Sequence, residues 1–574
     1  MEENKLHPMV NEAQSALNKG LISRRDFLRI STLLGVSLTT ANILAACGVQ
    51  TPVATAAPAP ATVAPTTAAA TKAPVAAATV APTANPITRG GTLNVACRIE
   101  RVSDPAQFSL VSASHPWRQV FEYLTHTDPQ GITHPYLLDS WKASDDLLTW
   151  TLVLKQGIKF SNGQELTADD VVFNIKRWLD PNTKSSMLSA MSYMDGTGVE
   201  KTDNYTVTLH LKSPTIFLPD NLGQYQAAIV PATFGGDITK EPIGTGPFTM
   251  IEYVATERAH LKARKDYWQM APDGKPLPYL DEIVMVMLGE DQSAYISALQ
   301  GGQVDTVLEP TVASWEAVKD DNRFTIVSTP TAATRVLRLR VDQDPWKNND
   351  VRTALKYCHN RTKILQLALQ GQGVIGNDSH VTQANPEYVA LDPLPFDTAK
   401  SKSLLAGAGY PNGVTVELTV ASDWPESMAY AQALKEDAAA GGFTINLKTM
   451  PASQYWNGWT DFNMGITWWS HRTQALITLG LAYTADPATG KPGSWNESHW
   501  VDPEFSQILT KAEGTLDLTA RQAFTAQLEK IQQTRGSICT PFFMDVWKIY
   551  SNKVHDIEPS PDEYAILTST WKSA

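Results

Sequence analysis

The side chains best equipped for chemistry in this sequence fall late in it. Tyr455, Trp456, Trp459, Trp468 and Trp469 lie within 15 residues and are followed at once by Ser470-His471-Arg472. Flat indoles beside an imidazole and a guanidinium suit binding, by stacking on rings and hydrogen-bonding to anions and hydroxyls. Trp456 and Trp459, spaced i and i+3, suit the core face of a helix equally well. Reactive patterns are missing: the chain has no H-E-x-x-H, no G-x-S-x-G and no Walker A run, so it is not expected to be an enzyme. Gly371-Gln372-Gly373-Val374-Ile375-Gly376 fits G-x-G-x-x-G, but it follows a helical segment ending near Leu369, where a dinucleotide site needs a strand. The 11 histidines scatter without metal-ligand spacing and none of the four cysteines forms C-x-x-C, so no metal and no cofactor is expected. Asp169-Asp170 resembles a carboxylate pair, yet behind Thr167 it reads as the acidic first turn of a helix.

At 574 residues the chain is too long for one simple core. Lys+Arg 47 against Asp+Glu 59, a net charge of −12, excludes a nucleic-acid partner that would be held by counterion release. A charged fraction of 18% beside 43% hydrophobic residues excludes global disorder. Sixteen tryptophans form a surplus that needs a use.

The first 46 residues read as an address. Ser23-Arg24-Arg25-Asp26-Phe27-Leu28-Arg29 resembles a twin-arginine export signature, and the uncharged stretch from Ile30 to Ala46 is too short and polar to span a membrane stably. Leu44-Ala45-Ala46-Cys47 resembles a bacterial lipobox, which makes Cys47 the lipid attachment site and the mature N-terminus. From Val49 to Thr88 there are 15 Ala, 9 Thr and 7 Pro, the composition of an extended tether. An extracytoplasmic, membrane-anchored body is expected to follow.

That body begins with the strand Thr92-Leu93-Asn94-Val95-Ala96. Thr149 to Leu154 and Tyr205 to Leu211 alternate as half-buried antiparallel strands, and Val171, Val172, Ile175, Trp178 and Leu179 repeat at helical spacing between them. Further on, a strand from Val414 to Val420, an alanine-rich helix from Glu426 to Ala440 and a strand from Phe443 to Met450 make a βαβ unit with a parallel pair. An antiparallel-rich part and a parallel α/β part imply two lobes and a cleft. Gly244 and Gly246 are expected to form a tight turn in which other residues would be strained, and Gly409 to end a helix. Of Cys97, Cys358 and Cys539 at most one pair can bond, and Cys358 is expected to be buried.

Several blocks in register carry a resemblance. Tyr136-Leu137-Leu138-Asp139-Ser140-Trp141, then Trp150-Thr151-Leu152 and Gly157 to Gly163, are followed by Leu166 to Val171, Gly244-Thr245-Gly246-Pro247-Phe248 and Tyr279 to Ile283. Val351-Arg352-Thr353-Ala354-Leu355 and Leu404 to Tyr410 complete the series. Together they resemble family 5 extracellular solute-binding proteins, the receptors of dipeptide, oligopeptide and nickel ABC importers. The resemblance implies an α/β, two-lobed periplasmic-binding-protein-like fold of type II, in its large three-domain form, with a hinge and an interlobe ligand cleft. The expected organisation is 1–46 signal peptide, 47–88 acylated Cys and tether, 89–331 lobe 1 with an antiparallel-rich subdomain near 115–241, 332–547 lobe 2, and 548–574 returning to lobe 1. A monomer delivering solute to a membrane permease and, through it, an ATPase is implied.

The peptide-binding relatives carry a Trp and then an Asp, which pairs with the ligand ammonium, after the position of Phe462-Asn463-Met464. Here His471 takes the Asp position, and no acidic residue occurs between Phe462 and Ala485. An unpaired buried ammonium would be costly, so a zwitterionic ligand needs another anchor. His471 and Arg472 suit an anionic or hydroxyl-rich ligand. Peptide-like solutes, the family's commonest cargo, and oligosaccharides both stand, beside a structural or adhesive lipoprotein that does not transport. The candidate ligand residues are Trp468, Trp469, His471 and Arg472 on one face, His115 and Arg118 on the other, and Arg335 near the crossover. Arg338 and Arg340 alternate with Arg335 and read as a solvated face.

Overall fold

The computed structural model describes residues 87–289, 291–486 and 489–573. The export signature, the lipobox with Cys47 and the tether up to residue 86 lie outside the described residues. Among the described residues no helix is long and apolar enough to cross a membrane.

Period-two patterning builds the antiparallel part. Trp150, Leu152 and Leu154 of Thr149–Leu154 are buried and alternate with partly exposed neighbours. This strand pairs with Leu138–Ala143 on one side and Thr206–His210 on the other, and Val199–Lys201 completes a four-stranded sheet. Helix Ala168–Trp178 buries Val171, Ile175 and Trp178. Its start is the expected capping box: the Thr167 backbone N–H donates to Asp170 Oδ2 at 2.9 Å. Asp170 Oδ1 also accepts from the Ala232 backbone N–H at 2.8 Å, so the second carboxylate of the apparent pair is structural.

A large mixed sheet runs through the whole body. Its strand order is Phe443–Met450, Val414–Ala421, Met464–Trp469, Phe324–Leu339, Phe542–Ser551, Thr306–Val307, Thr92–Ala96, Glu282–Val286, Arg258–Ala263 and Phe248–Val254. Val414–Ala421 and Phe443–Met450 are parallel over eight residues and are linked by helix Pro425–Ala440, as the βαβ pattern predicts. The long strands Phe324–Leu339 and Phe542–Ser551 join the two halves, and their register shifts between Pro330 and Thr334.

Two expectations change in detail. Gly244 and Gly246 do not occupy left-handed backbone; a Cβ at Gly244 would lie 2.0 Å from the Val120 carbonyl oxygen, and one at Gly246 would lie 2.7 Å from those of Gln119 and Val120. Close approach of two backbones, not turn strain, requires these glycines. Arg338 and Arg340 form no solvated face: both are buried, Arg338 completely, because the middle strand of this sheet is covered on both sides. Cys97, Cys358 and Cys539 are all buried and free. Gly409, at φ 95°, follows helix Thr398–Gly407 as expected, and the glycine-rich run at 371–376 follows helix Arg361–Leu369 and leads into a two-residue strand.

Candidate functional site

Parallel pairing brings the carboxyl ends of Val414–Ala421, Phe443–Met450 and Met464–Trp469 to one edge of the second lobe. Ligand crevices in open α/β sheets form outside such ends. The incoming strand Phe324–Leu339 runs antiparallel there, with Arg335 opposite Trp468 and Thr334 opposite Trp469. Because side chains alternate, the candidates divide between two faces.

On one face stand Arg335 and Trp468. The Arg335 guanidinium carbon lies 5.1 Å from the Trp468 ring centroid, and Nη2 donates to Glu426 Oε2 at 3.2 Å. Its Nε and Nη1 are buried without a protein acceptor, while the indole of Trp468 is 48% exposed. A cation with spare donors beside an open ring is a binding arrangement.

Trp469 points the other way and is core. Its Nε1 donates to Glu497 Oε1 at 2.8 Å, and its ring packs edge-on against His380 and Trp495. The structure therefore places it behind the cleft wall, where it holds the strand. Trp456 and Trp459 continue this aromatic row, and Trp456 is 40% exposed.

His471 sits at the crossing. The Ala332 backbone N–H donates to Nδ1 at 3.0 Å, so the neutral ring carries its proton on Nε2, which lies 3.7 Å from Asp562 Oδ1. Burial lowers the His471 pKa, Asp562 opposes that shift and Arg472 reinforces it. Arg472 Nη1 donates to Ser470 Oγ at 3.0 Å and the His471 carbonyl at 3.2 Å. Burial lowers its pKa too, while Tyr225 and Asp562 pull it back up.

Arg118, on the first lobe, shares Tyr564 as a neighbour with Asp562. Its guanidinium is sandwiched between Tyr123 and Tyr564, 3.8 and 3.7 Å from the ring centroids, and its Nε and Nη2 are buried without an acceptor. Asp562 and Arg118 both act on the Tyr564 hydroxyl, which burial raises well above its ordinary pKa. A cavity of about 140 Å³ lined by Arg118, Tyr123 and Tyr136 adjoins the sandwich. A second, of about 360 Å³, opens beside Ser109, whose carbonyl accepts from the Tyr225 hydroxyl.

His115 does not join them. Its fully buried ring lies 3.4 Å from Glu309 Oε1, in a cluster that includes Lys548. Lys548 donates to the carbonyls of Glu563 and Tyr564, and burial pushes its pKa down to about 8. This cluster fixes the segment carrying Asp562 and Tyr564.

Asp562 comes to stand beside His471 with no sign of it in the sequence. No spacing links it to His471, and the only local signal is the turn Pro559-Ser560-Pro561-Asp562-Glu563-Tyr564 in the returning tail. Among the described residues no cluster of His, Cys, Asp and Glu could hold a metal.

Two lobes crossed by a pair of long strands define a two-lobed α/β fold of the binding-protein class. Residues 133–479 match the model of bacterial extracellular solute-binding proteins, family 5 Middle, and the chain belongs to that family. It is 27% identical over 492 residues to di/tripeptide-binding protein 1 of Pseudomonas aeruginosa, covering 80% of this chain and 90% of that protein. It is 26% identical over 429 residues to heme-binding protein A of Haemophilus influenzae, covering 69% of this chain and 76% of that protein. The solved structure of HbpA2 from Haemophilus parasuis shares the fold at a TM-score of 0.74 and 23% identity, covering 84% of this chain and all of that one.

Proposed function

We propose that this chain is the receptor of an ABC importer and captures a peptide-like solute between its lobes. The observation that carries the reading is Asp562. It supplies, from the C-terminal tail, the carboxylate that the segment between Phe462 and Ala485 lacks, and it does so 3.7 Å from His471 Nε2. In this reading the ligand's ammonium pairs with Asp562, and its carboxylate takes the free donors of Arg118 together with Arg472. Charge-paired anchors at both ends offset the desolvation of a zwitterion. The name of the Pseudomonas aeruginosa relative supports peptides as the class.

Lobe 1 spans 89–331 and lobe 2 spans 332–547 in this account, with 548–574 returning to lobe 1. The irregular register from Pro330 to Thr334 absorbs the closing rotation. The lipidated Cys47 holds the monomeric receptor at the membrane, where the closed form docks on a permease whose ATPase drives import. The chain itself performs no catalysis.

An oligosaccharide is the second reading, favoured by Trp456, Trp468 and Trp495, which are 40%, 48% and 46% exposed. Mass spectrometry of solute retained on purification, with thermal shifts against tripeptides and oligosaccharides, separates the two. Retention of, or stabilisation by, sugars alone would reject the peptide reading.

A further inference from the structure

Directly after Arg472 the lobes meet through a compact polar contact. From lobe 1 come Gly131, in the turn between strands Thr125–Thr127 and Thr133–Pro135, and Asp220, in helix Leu218–Asn221. From lobe 2 come residues 384–387 and 473–475, with Arg521. Gly131 has φ 78°, and a Cβ there would lie 2.9 Å from the Ala384 carbonyl oxygen and 3.3 Å from Pro386 Cδ. Asp220 Oδ1 accepts from Thr133 Oγ1 at 2.5 Å within its lobe and from Gln474 Nε2 at 3.4 Å across the gap. Asn385 Nδ2 donates to the carbonyls of Arg472 and Thr473, at 2.9 and 3.0 Å, which ties the contact to the Arg472 anchor.

The charges there do not balance. Glu387 is fully buried and its Oε1 lacks a hydrogen bond; Arg521 Nε stands 3.9 Å from it, and Arg521 Nη1 is spent on the carbonyls of Thr515 and Leu516. Gln474 Oε1 is likewise buried without a donor. A proton on either carboxyl would remove one of the two negative charges and turn an acceptor-only group into a donor.

We propose that Asp220, Glu387 and Gln474 form a proton-loaded latch, in which lobe closure is completed by uptake of a proton and acidity favours the closed state. The inference rests on the closing-receptor reading, but its test uses no solute, so the two fail separately. Burial pushes Asp220 up to about 6, with Thr133, Gln474 and Arg521 opposing and Asp562 adding to the shift. Burial likewise pushes Glu387 up to about 7, with Arg521 opposing and Asp220 adding. Opening parts Asp220 from Gln474 and the Gly131 turn from residues 384–386 beside Glu387, so both carboxyls regain water and their ordinary values near pH 4. Closure is therefore strongest below those ordinary values and weakens as pH rises through 6 and 7.

The test is pulsed dipolar spectroscopy on the solute-stripped full chain, spin-labelled at the exposed Glu200 and Glu417. The closed-to-open ratio should fall roughly tenfold or more between about pH 5 and about pH 8. Asp220→Asn and Glu387→Gln should each flatten that response, and Gly131→Val, which blocks docking, should abolish the closed population at both ends of the series. A constant wild-type ratio, a full wild-type response in both neutral variants, or a closed population surviving in Gly131→Val would overturn the latch. The wild-type series decides the matter alone if a variant does not fold.

Discussion

Asp562 and His471 carry opposite duties at one point of the cleft. His471 spends Nδ1 on the Ala332 N–H and so orders the crossing strand, while Asp562 keeps a carboxylate turned to the same space. Removing one partner of a buried charge pair costs about 3–5 kcal/mol. Asp562→Asn should therefore weaken trialanine binding by roughly a hundredfold or more in calorimetry, with the empty protein still folded. Trp468 and Trp469 separate function from fold in the same way. Trp468→Ala should weaken binding and leave stability intact, whereas Trp469→Phe strands Glu497 Oε1 and should cost about 1–3 kcal/mol in chemical denaturation. Adjacent tryptophans in a sequence give no sign of which is which. Only the pairing of Arg335 with Trp468 and Thr334 with Trp469 decides it, and that pairing joins segments more than 130 residues apart in the chain. Asp562 was hidden for the same reason.

At the scale of elements, local chemistry was far more legible. The alternation of Trp150, Leu152 and Leu154, the capping residues Thr167 and Asp170, and the strand, helix and strand from Val414 to Met450 each carry their own signal, and each forms as the pattern dictates. Arg338 shows the limit. Alternation with polar residues implies a wet face only when one side of the sheet is open, and here Arg338 is enclosed and faces Glu497 at 3.3 Å. Gly246 shows another, since a glycine required by a neighbour's carbonyl looks identical in sequence to one required by its own φ. Gly246→Ala should destabilise the first lobe by about 1–3 kcal/mol, because backbone and not a flexible side chain must yield. A stability change within experimental error would mean that Gln119 and Val120 can move aside.

Across the whole molecule, the proposed receptor closes a hinge on a zwitterion, with the ammonium on Asp562 of the returning tail and the carboxylate shared by Arg118 of lobe 1 and Arg472 of lobe 2. Thr331 Oγ1 donates to the Met544 carbonyl at 2.6 Å, so the two crossing strands are tied together beside the register shift, where the proposed hinge lies. Cys47→Ala should release the protein from the membrane fraction, and persistence there would remove lipidation from the account. The proposed function stands on recognition of a free ammonium by Asp562. Calorimetry of the wild-type chain with trialanine and with N-acetyl-trialanine tests it most directly, because acetylation removes that charge and little else. The free peptide should bind, with a loss of roughly tenfold or more on acetylation; equal affinity for the two, or preference for the acetylated form, would remove Asp562 as the ammonium anchor.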